Sequence, residues 1–342
     1  MAGRNYEAAQ ASGPHRKASF GTSSRSPLIA LGFPVMLTLG FDIGGTFIKA
    51  VALRDLDVVG RGETPVRNDS LDALCSQLAS LGRELDPHSE ARAAGVAVAG
   101  LVDRHTGRLT ASPHLPSLRN IDAKPRFEEA LRMNVSVMND ATAAAFAEVK
   151  YGAARGLSHV LLITAGTGVG GGLVLNGQPY EGASGFAGEI GHVPVEPFGD
   201  ACACGKHGCL ETECGAYYLV GRARAAIGSG VHTSLATVTQ LDAAAIFEAA
   251  RAEDRFAVNL IDRAGSALGR ACAMALQVLD LERIVLGGGL ARSADLLLPR
   301  IMDAARARTF GEIFSRATFV PAELGHQAGA IGAAATAMHR VR

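Results

Sequence analysis

Twice in this chain a β-rich run breaks at glycines and resumes as a second β-rich run. The first is LTLGFDIGGTFIKAVAL over residues 37–53, and the second is HVLLITAGTGVGGGLVLNGQPY over residues 159–180. Both read as hairpins, the second followed by another hairpin turn at Asn176-Gly177. After the first come a helical stretch near 70–85 with Ser70 as its N-cap, a buried strand at 93–100, and VMNDATAAAFAEVKYG, extended at first and then a helix ending at Gly152. After the second come a mostly helical stretch over 244–280, the strand RIVLGGG, and a closing helix AGAIGAAATAMHR. The pattern is therefore two α/β units, and 342 residues exceed what one ordinary core holds. We expect a smaller N-terminal domain over 36–150 and a larger one over 151–326, with the last helix (327–342) packing back on the first. Residues 1–35, rich in Ser, Gly, Ala and Arg, are expected to be a disordered tail, and Met36 is a candidate initiator.

The glycine breaks carry chemistry. At Asp42-Ile43-Gly44-Gly45-Thr46 the backbone is free to approach a ligand and to offer N–H groups to an anion. Asp42 would repel phosphate there unless a cation lies between them, as in a Mg²⁺–nucleotide complex. A plain tight hairpin explains the same glycines, and on this motif alone both readings stand. The second break, Thr164-Ala165-Gly166-Thr167-Gly168-Val169-Gly170-Gly171-Gly172, satisfies G-x-G-x-x-G. The dinucleotide fold needs a helix next, and here a strand follows, so that reading fails. No Walker loop occurs. Gly287-Gly288-Gly289 after the strand RIVL suits close approach of a flat group such as a nucleobase.

Asn139-Asp140 closes a strand of the first unit and opens a helix of small residues. An isolated Asp at such a place is usually a cap. Its position at a strand C-terminus beside a second polar residue suits a carboxylate aimed at a substrate hydroxyl.

His192, Cys202, Cys204 and Cys209 fall within eighteen positions, in a loop bounded by glycines. One nitrogen and three sulfurs form a closed tetrahedral zinc set, structural rather than catalytic because all four positions are taken. Glu189 and Glu211 flank the set. A metal-pinned loop would hold both rigidly, as a polyhydroxylated ligand requires, and His192 would bind metal through one ring nitrogen and ligand through the other. Cys75, Cys214 and Cys272 read as structural.

Several function classes are excluded. Lys plus Arg and Asp plus Glu number 33 each, so no broad positive field exists for nucleic acid. No run of about 18 apolar residues spells a membrane span. Clustered thiols without a secretory signal indicate a reducing compartment, the cytoplasm.

At this point the chain resembles the ROK family (repressors, open reading frames, kinases) of bacterial sugar kinases. The stretches that carry the resemblance are FDIGGT (41–46), VMNDATAAAFAE (137–148), GTGVGGGLVLNG (166–177), GEIGHVPV (188–195), CACGKHGCLE (202–211) and IVLGGGL (284–290). The resemblance implies a two-domain actin-like ATPase (ribonuclease H-like) α/β fold with the ligand cleft between the domains. It implies an ATP-dependent hexose kinase, glucose being the favoured sugar, with allose, fructose or an N-acetylhexosamine as alternatives. By it, Asp140 is the general base, and Asn139, Glu189, His192, Glu211, Gly100 and His114 meet the sugar. Asp42, Gly44, Gly45, Thr46, Thr164, Gly166, Thr167, Gly168, Gly288 and Gly289 meet ATP and its Mg²⁺, while His192 and the three cysteines hold structural zinc. A homodimer is implied, with no nucleic acid or membrane partner. Many members carry Asn where ASPHLPSLRN has His114, and the tryptophan often following in glucose-specific members is missing, since the chain has none. Some relatives are sugar-sensing repressors with a helix-turn-helix segment of about 60 residues ahead of the fold. The 35 residues here lack helical periodicity, and a pure sensor has no need of Asp140, so the kinase is the expectation.

Overall fold

The duplication suggested by the two hairpins is a duplication of topology. The computed structural model describes residues 36–341 except 56, 68 and 113–117. The first half comprises β1 (Leu37–Ile43), β2 (Phe47–Arg54), β3 (Asp57–Pro65), α1 (Leu71–Leu85), β4 (Ala93–Val98), β5 (Leu101–Val102), β6 (Arg108–Ala111), β7 (Ile121–Asp122), α2 (Ala123–Leu131), β8 (Asn134–Asn139) and α3 (Asp140–Tyr151). The second comprises β9 (Val160–Ala165), β10 (Val169–Leu175), β11 (Gln178–Pro179), α4 (Leu210–Cys214), α5 (Ala216–Gly228), α6 (Ala243–Arg251), α7 (Arg255–Leu279), β12 (Arg283–Gly288), α8 (Gly289–Arg292), α9 (Ala294–Arg306), α10 (Gly311–Phe314), β13 (Thr318–Pro321) and α11 (Ala328–Val341).

The first main sheet runs β3-β2-β1-β4-β8 and the second runs β11-β10-β9-β12-β13. In each, the opening strand is antiparallel to the next and parallel to the fourth, which is parallel to the fifth. This shared order is the actin-like ATPase architecture. The sequence dictates which strands are central. β1 is buried almost throughout, with Leu37, Leu39, Phe41 and Ile43 on one face and the smaller Thr38 and Gly40 with Asp42 on the other, whereas β3 alternates exposed and half-buried residues as an edge strand does.

The helices cross between the sheets. α3 leaves the first sheet and packs on the second, where a Cβ on Gly172 would lie 2.2 Å from Ala141 O. α11 leaves the second sheet and packs on the first, where a Cβ on Gly40 would lie 2.0 Å from Ala330 O and one on Gly95 would lie 1.9 Å from Ala333 O. The two helices meet at Gly332, whose missing Cβ would fall 1.7 Å from Ala143 O. Runs of alanine and glycine in both helices allow backbone to approach backbone this closely. Buried Glu148, near the end of α3, accepts the N–H groups of Ala153 (2.8 Å) and Leu324 (2.9 Å), tying α3 to the segment that opens α11.

Local signals place most boundaries. Ser70 Oγ caps α1 by accepting Ala73 N–H at 3.1 Å. The helical stretch expected over 244–280 breaks at Ala252–Asp254, where Asp254 caps α7 by accepting Ala257 N–H at 3.0 Å. Among the described residues no helix is long and apolar enough to cross a membrane.

Candidate functional site

Strand ends and glycine turns of both sheets carry one part of the site residues that sequence singled out, and the segment from Glu189 to Glu211, which follows β11 and runs into α4, carries the rest of those described. The cap of α3 is Asn139, not Asp140. Asn139 Oδ1 accepts Thr142 N–H at 3.0 Å, and its Nδ2 donates to Gly100 O at 3.1 Å, which leaves one amide hydrogen for a ligand. Gly100 has φ 138°, and a Cβ there would lie 2.2 Å from Ala111 O, so only glycine fits. With the cap supplied by its neighbour, Asp140 occupies the first turn of α3, its Oδ1 accepting Ala141 N–H at 2.9 Å.

Asp42 lies within the field of Asp140. Burial, and then the charge of Asp140, push the Asp42 carboxyl up to about 7, against the opposing pull of Lys49. Lys49 is its cross-strand partner on β2. Protein crowds this carboxyl closely, since a Cβ on Gly329 in α11 would lie 2.6 Å from Asp42 Oδ2. Two carboxylates in mutual repulsion, with oxygen the only donor type, suit a hard cation such as Mg²⁺.

The His–Cys cluster assembles as its spacing predicts. The ligand atoms of His192, Cys202, Cys204 and Cys209 all lie within 4.8 Å of one another. Cys204 Sγ is 3.6 Å from Cys209 Sγ, and Cys202 Sγ is 3.7 Å from His192 Nδ1. A tetrahedron with zinc–sulfur bonds of about 2.3 Å has edges of about 3.8 Å, so this donor set fits zinc. Burial followed by the neighbouring thiols pushes Cys209 up to about 12, whereas at Cys204 the opposing effect of burial is outweighed by backbone and thiol hydrogen bonds, which lower it. The loop closes on itself: Val195 N–H donates to Gly208 O (2.8 Å) and Cys202 N–H to Lys206 O (2.8 Å). Buried Glu213 anchors it from below, accepting from Arg263 and from Arg222 (3.1 Å), which also holds Asp200 at 2.5 Å.

His192 turns Nδ1 to the cysteines and Nε2 towards Glu189, whose Oε2 is 4.0 Å away. Glu189 keeps 43% of its side-chain surface, yet desolvation raises its carboxyl; His192 opposes this, and the charges of Asp140 and Glu211 add to it. These four groups therefore share one field. Glu211 is committed elsewhere as well: its Oε2 accepts Val169 N–H at 2.9 Å and its Oε1 lies 3.8 Å from Cys202 Sγ.

Gly166, Thr167 and Gly168 form the second turn, closed by Gly166 N–H to Gly168 O at 2.9 Å. Gly288, with φ 61°, and Gly289 lie against Ala165 at the start of that turn. Thr164 stands across from Gly170 on β10. Gly44 is half-buried, and Gly45 and Thr46 are exposed. His114 lies outside the described residues. Sequence reasoning missed Lys49, Gly329 and the main-chain groups of Val169, Ala216 and Tyr217, none of which has a local signal. It also missed Arg104 and His105 of the first half, which reach the carbonyls of Gly182 (2.7 Å) and Ala183 (3.0 Å) in the segment ahead of Glu189.

The pattern of the ROK family matches residues 38–340. The glucokinase of Halalkalibacterium halodurans is 36% identical over 306 residues, covering 86% of this chain and 92% of that protein. Among solved structures, the ROK hexokinase of Thermus thermophilus superposes with a TM-score of 0.80 at 30% identity, covering 90% of this chain and 99% of its own. A ROK family glucokinase from Streptomyces griseus, solved in complex with glucose and AMPPNP, gives a TM-score of 0.74 at 30% identity over 89% and 99% of the two chains.

Proposed function

The chain belongs to the ROK family, and from that membership we propose that it is an ATP-dependent hexose kinase, glucose 6-OH being the favoured acceptor. The observation that carries the reading is the place of Asp140 in the first turn of α3, directly after the cap Asn139, at a point where Asp42 and Glu189 both feel its charge.

In this reading Asp140 accepts the proton of the sugar hydroxyl as that oxygen bonds to the γ-phosphorus. The bond from the γ-phosphorus to the β,γ-bridging oxygen breaks, and ADP leaves. Asn139, Glu189 and His192 orient the sugar, with Gly100 keeping the floor of the site close. N–H groups of the two glycine turns hold the phosphates from opposite sides, with Gly288 and Gly289 near the adenosine. Asp42 and Asp140 would hold the Mg²⁺ that accompanies ATP and offsets phosphate charge. His192, Cys202, Cys204 and Cys209 would hold a structural zinc that fixes the loop. Closure of the 36–150 half on the 151–326 half would exclude water, so that ATP is not spent on hydrolysis. A cluster of thiols disposed for a metal supports a reducing compartment, the cytoplasm, as the site of action, and the family resemblance supports a homodimer.

The test is ADP release with Mg-ATP against glucose, allose, mannose, fructose, N-acetylglucosamine and N-acetylmannosamine. One sugar should be strongly preferred. Asp140→Asn should lower kcat by about 10²–10⁴-fold with the preferred sugar. Folded protein that turns over none of these sugars would turn the reading towards a sugar sensor.

A further inference from the structure

The second glycine turn is held from outside its own hairpin, by a single short segment. Glu211 Oε2 accepts Val169 N–H at 2.9 Å, and a Cβ on Gly168 would lie 2.4 Å from that same oxygen. Ala216 N–H donates to Gly166 O at 3.2 Å, and Tyr217 N–H donates to Thr167 O at 3.4 Å. So residues 211–217 touch every residue from Gly166 to Val169. That segment starts from the metal cluster. Cys209 is the N-cap residue of α4, Thr212 bonds back to Cys209 O through both its N–H (3.0 Å) and its hydroxyl (2.8 Å), and Glu211 lies between them. On the other side, Leu210 N–H donates to Val193 O at 3.0 Å, one residue past the ligand His192. Fixing Cys209 and His192 on one ion thus fixes the helix that carries Glu211. Cys202 as a metal-bound thiolate would no longer donate to Glu211 Oε1, while the bond from Val169 N–H to Glu211 Oε2 would stay in place.

We infer that Glu211 is a positioning residue for the nucleotide's phosphate turn, and that a divalent metal on His192, Cys202, Cys204 and Cys209 tightens nucleotide binding through it. The inference rests on the kinase reading. It differs from a role in sugar binding alone, because it acts before any sugar is present.

The experiment is calorimetric titration of the full chain with Mg²⁺–AMPPNP and no sugar. Glu211→Asp keeps the charge and shortens the reach by one methylene, whereas Glu211→Gln keeps an oxygen at the same reach and loses the charge. Glu211→Asp, and wild type stripped by a chelator, should each bind nucleotide about five- to tenfold more weakly, and Glu211→Gln should stay within about twofold of wild type. Stripping Glu211→Asp should add little, since both changes cut one path. Glu211→Asp with wild-type affinity overturns the inference, as does stripped wild type with undiminished affinity. A stripped chain that has lost its native circular dichroism also counts against it, because the metal would then hold the whole half and not the turn. Wild type that binds no nucleotide sinks the kinase reading and the inference together, an outcome distinct from either.

Discussion

The turn of the first sheet and the turn of the second occupy the same place in the same topology, yet they handle charge in opposite ways. Asp42 stands two residues before Gly44, and Thr164 stands two residues before Gly166. Both loops, 44–46 and 166–168, are three residues long. The cross-strand partner of Asp42 is Lys49, and that of Thr164 is Gly170. The first turn closes on its own hairpin through Gly44 N–H to Phe47 O at 3.1 Å and keeps its carboxylate within the strand. The second has a neutral hydroxyl at that position and receives a carboxylate, Glu211, from the end of the His–Cys loop, 42 residues beyond Val169. In the kinase reading the Glu211 carboxylate at the second turn is engaged by Val169 N–H, whereas Asp42 at the first faces the charge of Asp140, so a phosphate would call for a cation chiefly at the first. Identical topology thus fixes where ligands sit, while the residue at one strand position decides what must accompany them.

The largest effect expected of this difference is kinetic. Asp42→Asn should lower kcat at saturating Mg-ATP by roughly a hundredfold or more, because charge stabilisation at the transferring phosphoryl group is lost. Thr164→Val removes one hydroxyl at the equivalent position and should cost only a few-fold. Steady-state kinetics on the two variants decide the matter. Equal losses would mean the turns are not chemically distinct, and the comparison would fail.

Both turns ride on one frame, since α3 and α11 each leave one sheet and pack on the other. Gly332→Ala tests that frame where the helices meet, because its Cβ would lie 1.7 Å from Ala143 O. We expect a loss of about 1–3 kcal/mol by denaturant titration, through overpacking that nothing nearby can relieve. Gly221→Ala in α5 is the control. Its Cβ meets open space, and the change should gain about 0.5–1 kcal/mol. An unchanged midpoint for Gly332→Ala would show that the helices can slide apart without cost, and the two turns would then not be held in register.

How much of this is legible in the sequence follows from how local each signal is. The hairpins, the α1 cap at Ser70 and the His–Cys spacing are short-range patterns, and the structure places them as read. Asp140 was legible as a helix start, but the capping role falls to Asn139, because an N-cap needs extended backbone and Asn139 still belongs to β8. The break at Ala252–Asp254 hides in an unbroken apolar rhythm. Glu211 was legible as a carboxylate beside a metal loop; its bond to Val169 was not, since that partner lies 42 positions away. The return of the last helix to the first unit was among the expectations, but the packing of α3 on the second sheet and its meeting with α11 at Gly332 were hidden. Alanine-rich helices signal that something comes close without saying what.

The smallest effect is the dependence of stability on pH, and it isolates the carboxylate that separates the two turns. Asp42 titrates at 3.8 in the unfolded chain and about 7 in the folded one. Between those values the folded state binds more of this proton than the unfolded state, so stability falls as pH rises, and the slope ends once pH passes 7. Burial leads this shift, with Asp140 adding to it, and Glu189 shifts in the same direction. Thermal unfolding of ligand-free protein at pH 5, 6, 7 and 8 should therefore show wild type losing a few degrees relative to Asp42→Asn, on the order of what one such group contributes in a chain of this size. Thr164→Val should run parallel to wild type throughout, because the second turn holds no such proton. Mg²⁺–AMPPNP should stabilise wild type more at pH 8 than at pH 5, since the ionised carboxylate is the form a cation meets. A constant gap between wild type and Asp42→Asn across the series would mean that Asp42 ionises as an ordinary surface carboxylate. The need for a cation at the first turn would then arise from the phosphates alone, and the strand position would no longer distinguish the two halves.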